Sequence, residues 1–588
     1  MLTVFYQVNL DKLKQIFLIC ALLISSTGCL KKEDAQASRT LRIALSQEIS
    51  SLDPVSSYDN ISGSIVYNVY EPLFEYHYLI RPYELRPLLA EAMPTIENGG
   101  KRYIIKIKKN IRYHDHPAFK GQARFVKAQD FVTGFKRLAF SPLNSSGWWI
   151  LDGSIVGAND FKNFVGSDFN KFKTTPIRGV SALDDNTLII DLTQPKSQFI
   201  YKLSMSFTSP LPLEVIEYEK NKLDTVEVGT GPFKMDKANL SKEIILTKNS
   251  YYRESFYPSE GDRYANNRGL LKEAGEKVPF IDKIDYKVIT DSNERFERFL
   301  KNEFDMLQMP QELYNQVFDE LGNLKENIKS RDIRLQTYPT QTYWWLSFNM
   351  KDPLLGKNLN LRKAIAHALD INQYVTETNS STGQVANSIL PPGIMGYNPS
   401  TTLPYKYNIA LAREYLAKAG YPNGKNLPVI TYDTRSNATR ASRVQAEMIQ
   451  NQLAMVGIKI NINYNNFSQF LEKSRQGNLQ FFQDGWTLDY PDAENVYQLL
   501  LSTNKAPGPN SSFYSNKEFD KMYEQISRLP DGAQRSKLLT KMEEQVNQDL
   551  PWVMQFYARE FILYYDHVKN YRPSDLVWNY PKYLRIAR

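Results

Sequence analysis

Residues 438–462 read ATRASRVQAEMIQNQLAMVGIKINI and change period midway. Up to Val456 the stretch has helical spacing, with Val444, Met448 and Leu453 on one stripe. Gly457 supplies a stop. Ile458, Ile460 and Ile462 then alternate with Lys459 and Asn461, which predicts a half-buried strand. A helix that passes directly into a strand is the building unit of an α/β lobe with a mixed sheet. The same units recur outward along the chain. Leu361 to Val375 carries a helical stripe with Asn360 placed to cap it, and Ile409 to Ala419 ends at Gly420 and Pro422. Leu41–Leu45, Tyr103–Lys108, Thr187–Leu192 and Ile244–Thr247 read as strands, and 128–139 as a helix through Phe131, Phe135 and Leu138. Residues 251–277 have no clear period and read as a long surface insertion.

The chain has 588 residues, 42% hydrophobic and 23% charged, which is globular and too long for one core. Aromatic residues make up 13%, with 37 Tyr, which is recognition-type surface because Tyr joins a rigid ring to a polar tip. The net charge of +8 is mild for this length, and no run of Lys and Arg is long enough for a nucleic-acid stripe.

The first residues set the compartment. Lys12 and Lys14 precede the apolar run Ile16–Ile24, too short to span a bilayer, and a small-residue exit follows. This pattern predicts a secretory leader over residues 1–28. The exit Ser25-Ser-Thr-Gly-Cys29 resembles the lipobox of bacterial lipoproteins, which implies that Cys29 is acylated and that 29–40 is a polar tether. Cys20, the other of the 2 Cys, falls inside the leader, so the mature fold has no disulfide.

Catalytic signatures are missing. There is no phosphate-binding G-x-x-x-x-G-K-[ST] and no G-x-S-x-G elbow. Of the 5 His, His114 and His116 are two apart and would share a metal only with a third ligand, so a polar turn is the better reading. Glu543 and Glu544 fall on a helix rich in Lys and Gln and are expected to be solvated. The expectation is a binding protein with no cofactor, not an enzyme.

Ordered segments carry a resemblance: Ser51-Leu-Asp-Pro54, Tyr70-Glu-Pro-Leu73, Pro87-Leu-Leu-Ala-Glu91, KIKKNIRYHD at 106–115, Gly229-Thr-Gly-Pro-Phe233, Leu346-Ser-Phe-Asn349, LRKAIAHALD at 361–370 and Gly485-Trp-Thr-Leu-Asp-Tyr490. Together they resemble the peptide/nickel solute-binding proteins of ABC importers. The resemblance implies a two-lobe Venus-flytrap periplasmic-binding-protein fold of α/β class with an extra third domain. It places lobe one at 41–70, 210–340 and 559–588, the extra domain at 71–209 and lobe two at 341–558. It also implies a monomer outside the cytoplasm, in the periplasm or at the cell surface, that hands peptides to the transmembrane subunits of a permease, with no nucleic-acid partner. Asp489 matches the family position that accepts a peptide's α-ammonium, with Trp486 and Tyr490 beside it. In Tyr343-Trp-Trp345, strand alternation turns either Tyr343 and Trp345 or Trp344 toward the ligand; Tyr343 and Trp345 are carried as ligand candidates, with core packing as the competing role. The alternatives are a nickel chelate, haem or an oligosaccharide on the same fold, or a secreted peptidase. The Trp148-Trp149 loop has no assigned role.

Overall fold

The structure, a computed structural model, describes residues 39–588 except 227, 311–312, 320–321, 379–382 and 507. The expected leader and Cys29 lie outside the described residues. One 11-stranded sheet organises the body. Its order is Ile460–Tyr464, Ile430–Thr434, Phe481–Thr487, Ile333–Phe348, Trp552–Tyr565, Met306–Gln308, Thr40–Leu45, Lys283–Val288, Glu243–Lys248 and Phe233–Asn239, with Gly383–Val385 added beside Trp552–Tyr565.

The two long strands in the middle explain how one sheet serves two lobes. Ile333 to Pro339 pairs with Arg559 to Tyr565, Tyr343 to Ser347 pairs with Trp552 to Tyr557, and the ladder slips between Pro339 and Tyr343. Lobe-one strand Met306–Gln308 joins on one side of the slip and lobe-two strand Phe481–Thr487 on the other. A slipped register takes residues out of the ladder and lets a strand bend; here Pro339 has no N–H, Gln341 N donates instead to Asp575 at 2.5 Å, and Gln341 O accepts from Leu488 N at 3.0 Å. The two halves of the sheet join at these residues.

In lobe two the helix Arg440–Ala454 links the parallel strands Ile430–Thr434 and Ile460–Tyr464, as the period change predicts. Its buried stripe is Ala446, Ile449 and Leu453, and Val444 is 45% exposed. The spacing fixed a helix but not which of two adjacent stripes faces inward. The helix expected over 361–375 is two, Leu359–Ala368 and Ile371–Thr378, the first capped by Asn358 rather than Asn360. Asp370 makes the break, accepting from Gln373 N at 3.0 Å, so a side chain takes over from the helical ladder.

A second, four-stranded antiparallel sheet, Thr95–Glu97, Arg102–Lys106, Thr187–Asp191 and Val180–Asp184, carries the third domain, with helix Ala128–Ala139 packed on it through Phe131 and Phe135. Its core runs without a break into lobe one, in a cluster from Leu41 to Ile586. Arg137 on that helix donates to both oxygens of Asp53 at 2.9 and 2.7 Å with both side chains buried, which explains why the chain needs Ser51-Leu-Asp-Pro54. Gly229 has a similar logic: a Cβ there would lie 1.8 Å from Val69 O.

Residues 251–277 lie mostly at the surface and are tied down there: Arg253 pairs with buried Glu71 at 2.6 Å, and Tyr257 packs with Tyr78, Phe280 and the tail residue Tyr583. The segment lacks a period because irregular backbone surrounds one short helix, Arg263–Asn267; Tyr257 packs as core, whereas Tyr251 and Phe256 stay exposed. Glu543 is 6% exposed and accepts from Ser388 Oγ and Ile389 N, so it pins the 388–389 backbone instead of facing water.

Candidate ligand-binding site between the lobes

Strand Phe481–Thr487 lies between Ile430–Thr434 and Ile333–Phe348 and runs out into the turn 488–492. Asp492 ends the turn by capping helix Ala493–Tyr497 through Glu494 N at 2.8 Å, and fully buried Arg535 holds its carboxylate at 2.6 and 2.8 Å. One turn into that helix, Asn495 accepts from Trp486 Nε1 at 2.9 Å and from Asp489 N at 3.2 Å, and donates to Asp489 Oδ2 at 3.2 Å. Trp486 and Asp489 are thus set by one amide on a rigid element.

From the opposite lobe, Tyr58 donates to Asp489 Oδ1 at 2.5 Å. Tyr201 stacks on Tyr490 with ring centres 5.8 Å apart, and Ser197 N donates to Ser527 O at 3.0 Å. The jaws meet at these contacts. Burial pushes the Asp489 carboxyl above its ordinary value, against the opposing donors Tyr58 and Asn495.

Three cavities line the seam. The first, about 760 Å³, and the second, about 400 Å³, share Tyr58, Trp486 and Asp489 as their common wall. The third, about 420 Å³, shares Thr340, Thr342, Trp344 and Glu560 with the second, beside the join of the sheet's two halves. Spaces of this size between the lobes, lined by many polar and charged side chains together with aromatic rings, suit a small polar ligand.

The other candidates divide. Tyr490 borders the first cavity with its ring on Tyr201 and its hydroxyl on Glu494. Tyr343 and Trp345 do not reach a cavity: they are 0% and 2% exposed, and Trp345 packs on Trp552 at 4.4 Å. The strand's alternation turns them into the lobe-two core and brings Trp344 to the seam, where it lines the second and third cavities. Tyr58, Lys202, Asn495 and Arg435, the last of which lines the second cavity, carry no signal in the sequence. Trp149 was visible as a ring without a role, and it lines the first cavity on the short turn Trp148–Ile150. His114 Nε2 lies 3.1 Å from Gly231 O and His116 Nε2 3.2 Å from Glu219, so the pair diverges. No cluster of His, Cys, Asp or Glu among the described residues forms a metal site.

Glu560, shared by the second and third cavities, is pushed up to about 7 by burial and by Asp575, with Tyr338 donating to it. A carboxyl raised in this way gives its full stability below its ordinary 4.5 and loses it as pH rises through about 7. Glu560→Gln is therefore expected to raise the calorimetric midpoint at pH 8, by about 1–3 kcal/mol of stability, and to leave it unchanged at pH 4.

Residues 84–508 match the family model for bacterial extracellular solute-binding proteins, family 5. The chain belongs to that family. This family 5 protein is 25% identical over 497 residues to the dipeptide-binding protein of Escherichia coli K12, covering 83% of this chain and 84% of the relative. It is 24% identical over 526 residues to the glutathione-binding protein GsiB of the same strain, covering 88% and 89%. The Helicobacter pylori periplasmic binding protein DppA, solved in complex with the peptide STSA, matches with a TM-score of 0.71 at 25% identity over 93% of this chain and 98% of that one. The two-lobe architecture of the family 5 protein is thus that of periplasmic binding proteins, and its relatives are named as solute-binding proteins. No helix among the described residues is long and apolar enough to cross a membrane.

Proposed function

We propose that the chain captures peptides between its lobes and delivers them uncut to the transmembrane subunits of an ABC importer, as a monomer tethered outside the cytoplasm through acylated Cys29. On this reading the jaws are 41–70, 210–340 and 559–588 against 341–558, with 71–209 elaborating the first. One observation carries the ligand class. The Asp489 carboxylate stands on one jaw, is met by Tyr58 from the other, and forms the wall common to two cavities. An ammonium placed there gains charge-assisted hydrogen bonds in a gap of low dielectric, where such a pair is far stronger than in water. A ligand that touches both jaws at once favours the closed state by its differential contacts. Trp486 offers a ring wall, and Tyr490 backs the turn. The names of the dipeptide-binding relative and of the peptide-bound neighbour agree with this chemistry and lend it support by analogy.

Thermal unfolding with Ala-Ala-Ala tests the reading. At a hundredfold excess over Kd, stability is expected to rise by about 2.7 kcal/mol, and the peptide should be recovered with its mass unchanged. No shift with peptides alongside a shift with an oligosaccharide, or recovery of cut peptide, would overturn it.

A further inference from the structure

The first cavity meets the second only at Tyr58, Trp486 and Asp489. On the peptide reading an ammonium at Asp489 stands at the junction of the two cavities, so a chain laid in the second leaves the first open to its first side chain. The inner wall of that cavity is electrostatically uneven. Its carboxylates are already supplied with donors: Asp489 by Tyr58 and Asn495, and Glu494 by the hydroxyls of Tyr490 and Tyr523. Lys196 donates to Ser154 Oγ at 2.8 Å. Lys202 is different. It is 9% exposed and lines the cavity, and among the described residues its ammonium has no hydrogen-bond or ion-pair partner. Its ammonium instead faces the ring of Trp149, 4.8 Å from Nζ to the ring centre. A buried cation without an acceptor is costly, so this wall favours a guest that brings one. Of the remaining acids of the cavity, Asp152 and Glu524 are exposed to water, and Asp520 accepts from Ser502 N at 3.0 Å.

We infer that Lys202 is a specificity-determining residue, and that the first cavity selects peptides beginning with Asp or Glu, whose side-chain carboxylate accepts from Lys202 Nζ while the ammonium stays on Asp489. This rests on the peptide reading above. Burial lowers the Lys202 ammonium to about 8, with Glu494 and Asp489 opposing the shift and Lys196 adding to it. An anion taken up beside it opposes that lowering, so binding is linked to proton uptake as pH rises through about 8.

Titration calorimetry of Glu-Ala-Ala and Gln-Ala-Ala against the full chain at pH 6.5 reads the preference directly. The wild type is expected to bind the Glu peptide about tenfold more tightly, since the two ligands differ only in one buried charge-assisted hydrogen bond. Lys202→Met should bring the ratio to one. Should that variant fail to fold, the wild type at pH 9.5 provides the same test, because Lys202 is then deprotonated while loss of the α-ammonium charge affects both peptides alike. A ratio of one in the wild type, a ratio that survives Lys202→Met, or a ratio indifferent to pH would overturn the inference. Failure of the underlying peptide reading looks different: Ala-Ala-Ala would not bind, or would bind equally well when N-acetylated. If Ala-Ala-Ala binds through its amine and the Glu and Gln peptides tie, only the role of Lys202 falls.

Discussion

Asp489→Ala is expected to weaken peptides with a free N-terminus by roughly a hundredfold, about 3 kcal/mol, the range for removing one partner of a desolvated charge pair. N-acetylated peptides, which cannot offer an ammonium, should bind weakly to the wild type and change little on substitution. The expected pattern is an interaction between the two changes, read by titration calorimetry on both ligands and both proteins. Asp489→Asn adds a control, because the amide oxygen can still accept from Tyr58, which now bonds Asp489 across the seam, while the charge is gone. If alanine weakened both peptides equally, Asp489 would be a structural turn residue and the amine assignment would be rejected.

Arg535→Met is expected to cost about 3–5 kcal/mol of lobe-two stability. The guanidinium is fully buried, donates to both oxygens of Asp492, and also reaches Asp531 at 2.8 Å and Ile526 O at 3.0 Å. Methionine leaves Asp492 buried without its cation, and burial already pushes that carboxyl above its ordinary value. Function should fail with stability, since Asp492 caps the helix whose Asn495 sets both Trp486 and Asp489. Chemical denaturation measures the loss, and adding Asp492→Asn should recover much of it by removing the stranded charge. A loss below about 1 kcal/mol for the single change would show that the pair does not organise the turn.

The sequence conveyed the elements better than their surroundings. Period changes such as that at Gly457 reveal helix and strand, because the spacing is local. The inward face is not local: Val444 faces water and Ile449 is buried, though both fit a helical stripe. In Tyr343-Trp-Trp345 alternation leaves two choices, and the distant residues packed on one face of the strand, among them Ile389, Val496 and Leu539, decide between them. Glu543 looked solvated among its Lys and Gln neighbours because its partners, Ser388 and Ile389, are more than 150 residues away. The site has the same character. Asp489 and Trp486 stand in one short motif and could be named, whereas Tyr58 reaches Asp489 across 431 residues and Lys202 belongs to a four-residue helix with no motif of its own. What the resemblance conveyed was order along the chain; what it lacked was which side chains the closed seam leaves with unmet hydrogen bonds.

The most direct test is to purify the protein without denaturation, unfold it, and identify by mass spectrometry the small molecules it releases. The account predicts intact peptides with unblocked N-termini, enriched in Asp or Glu at the first position. Release of a sugar, a haem, a metal chelate or peptides with blocked amines would contradict it.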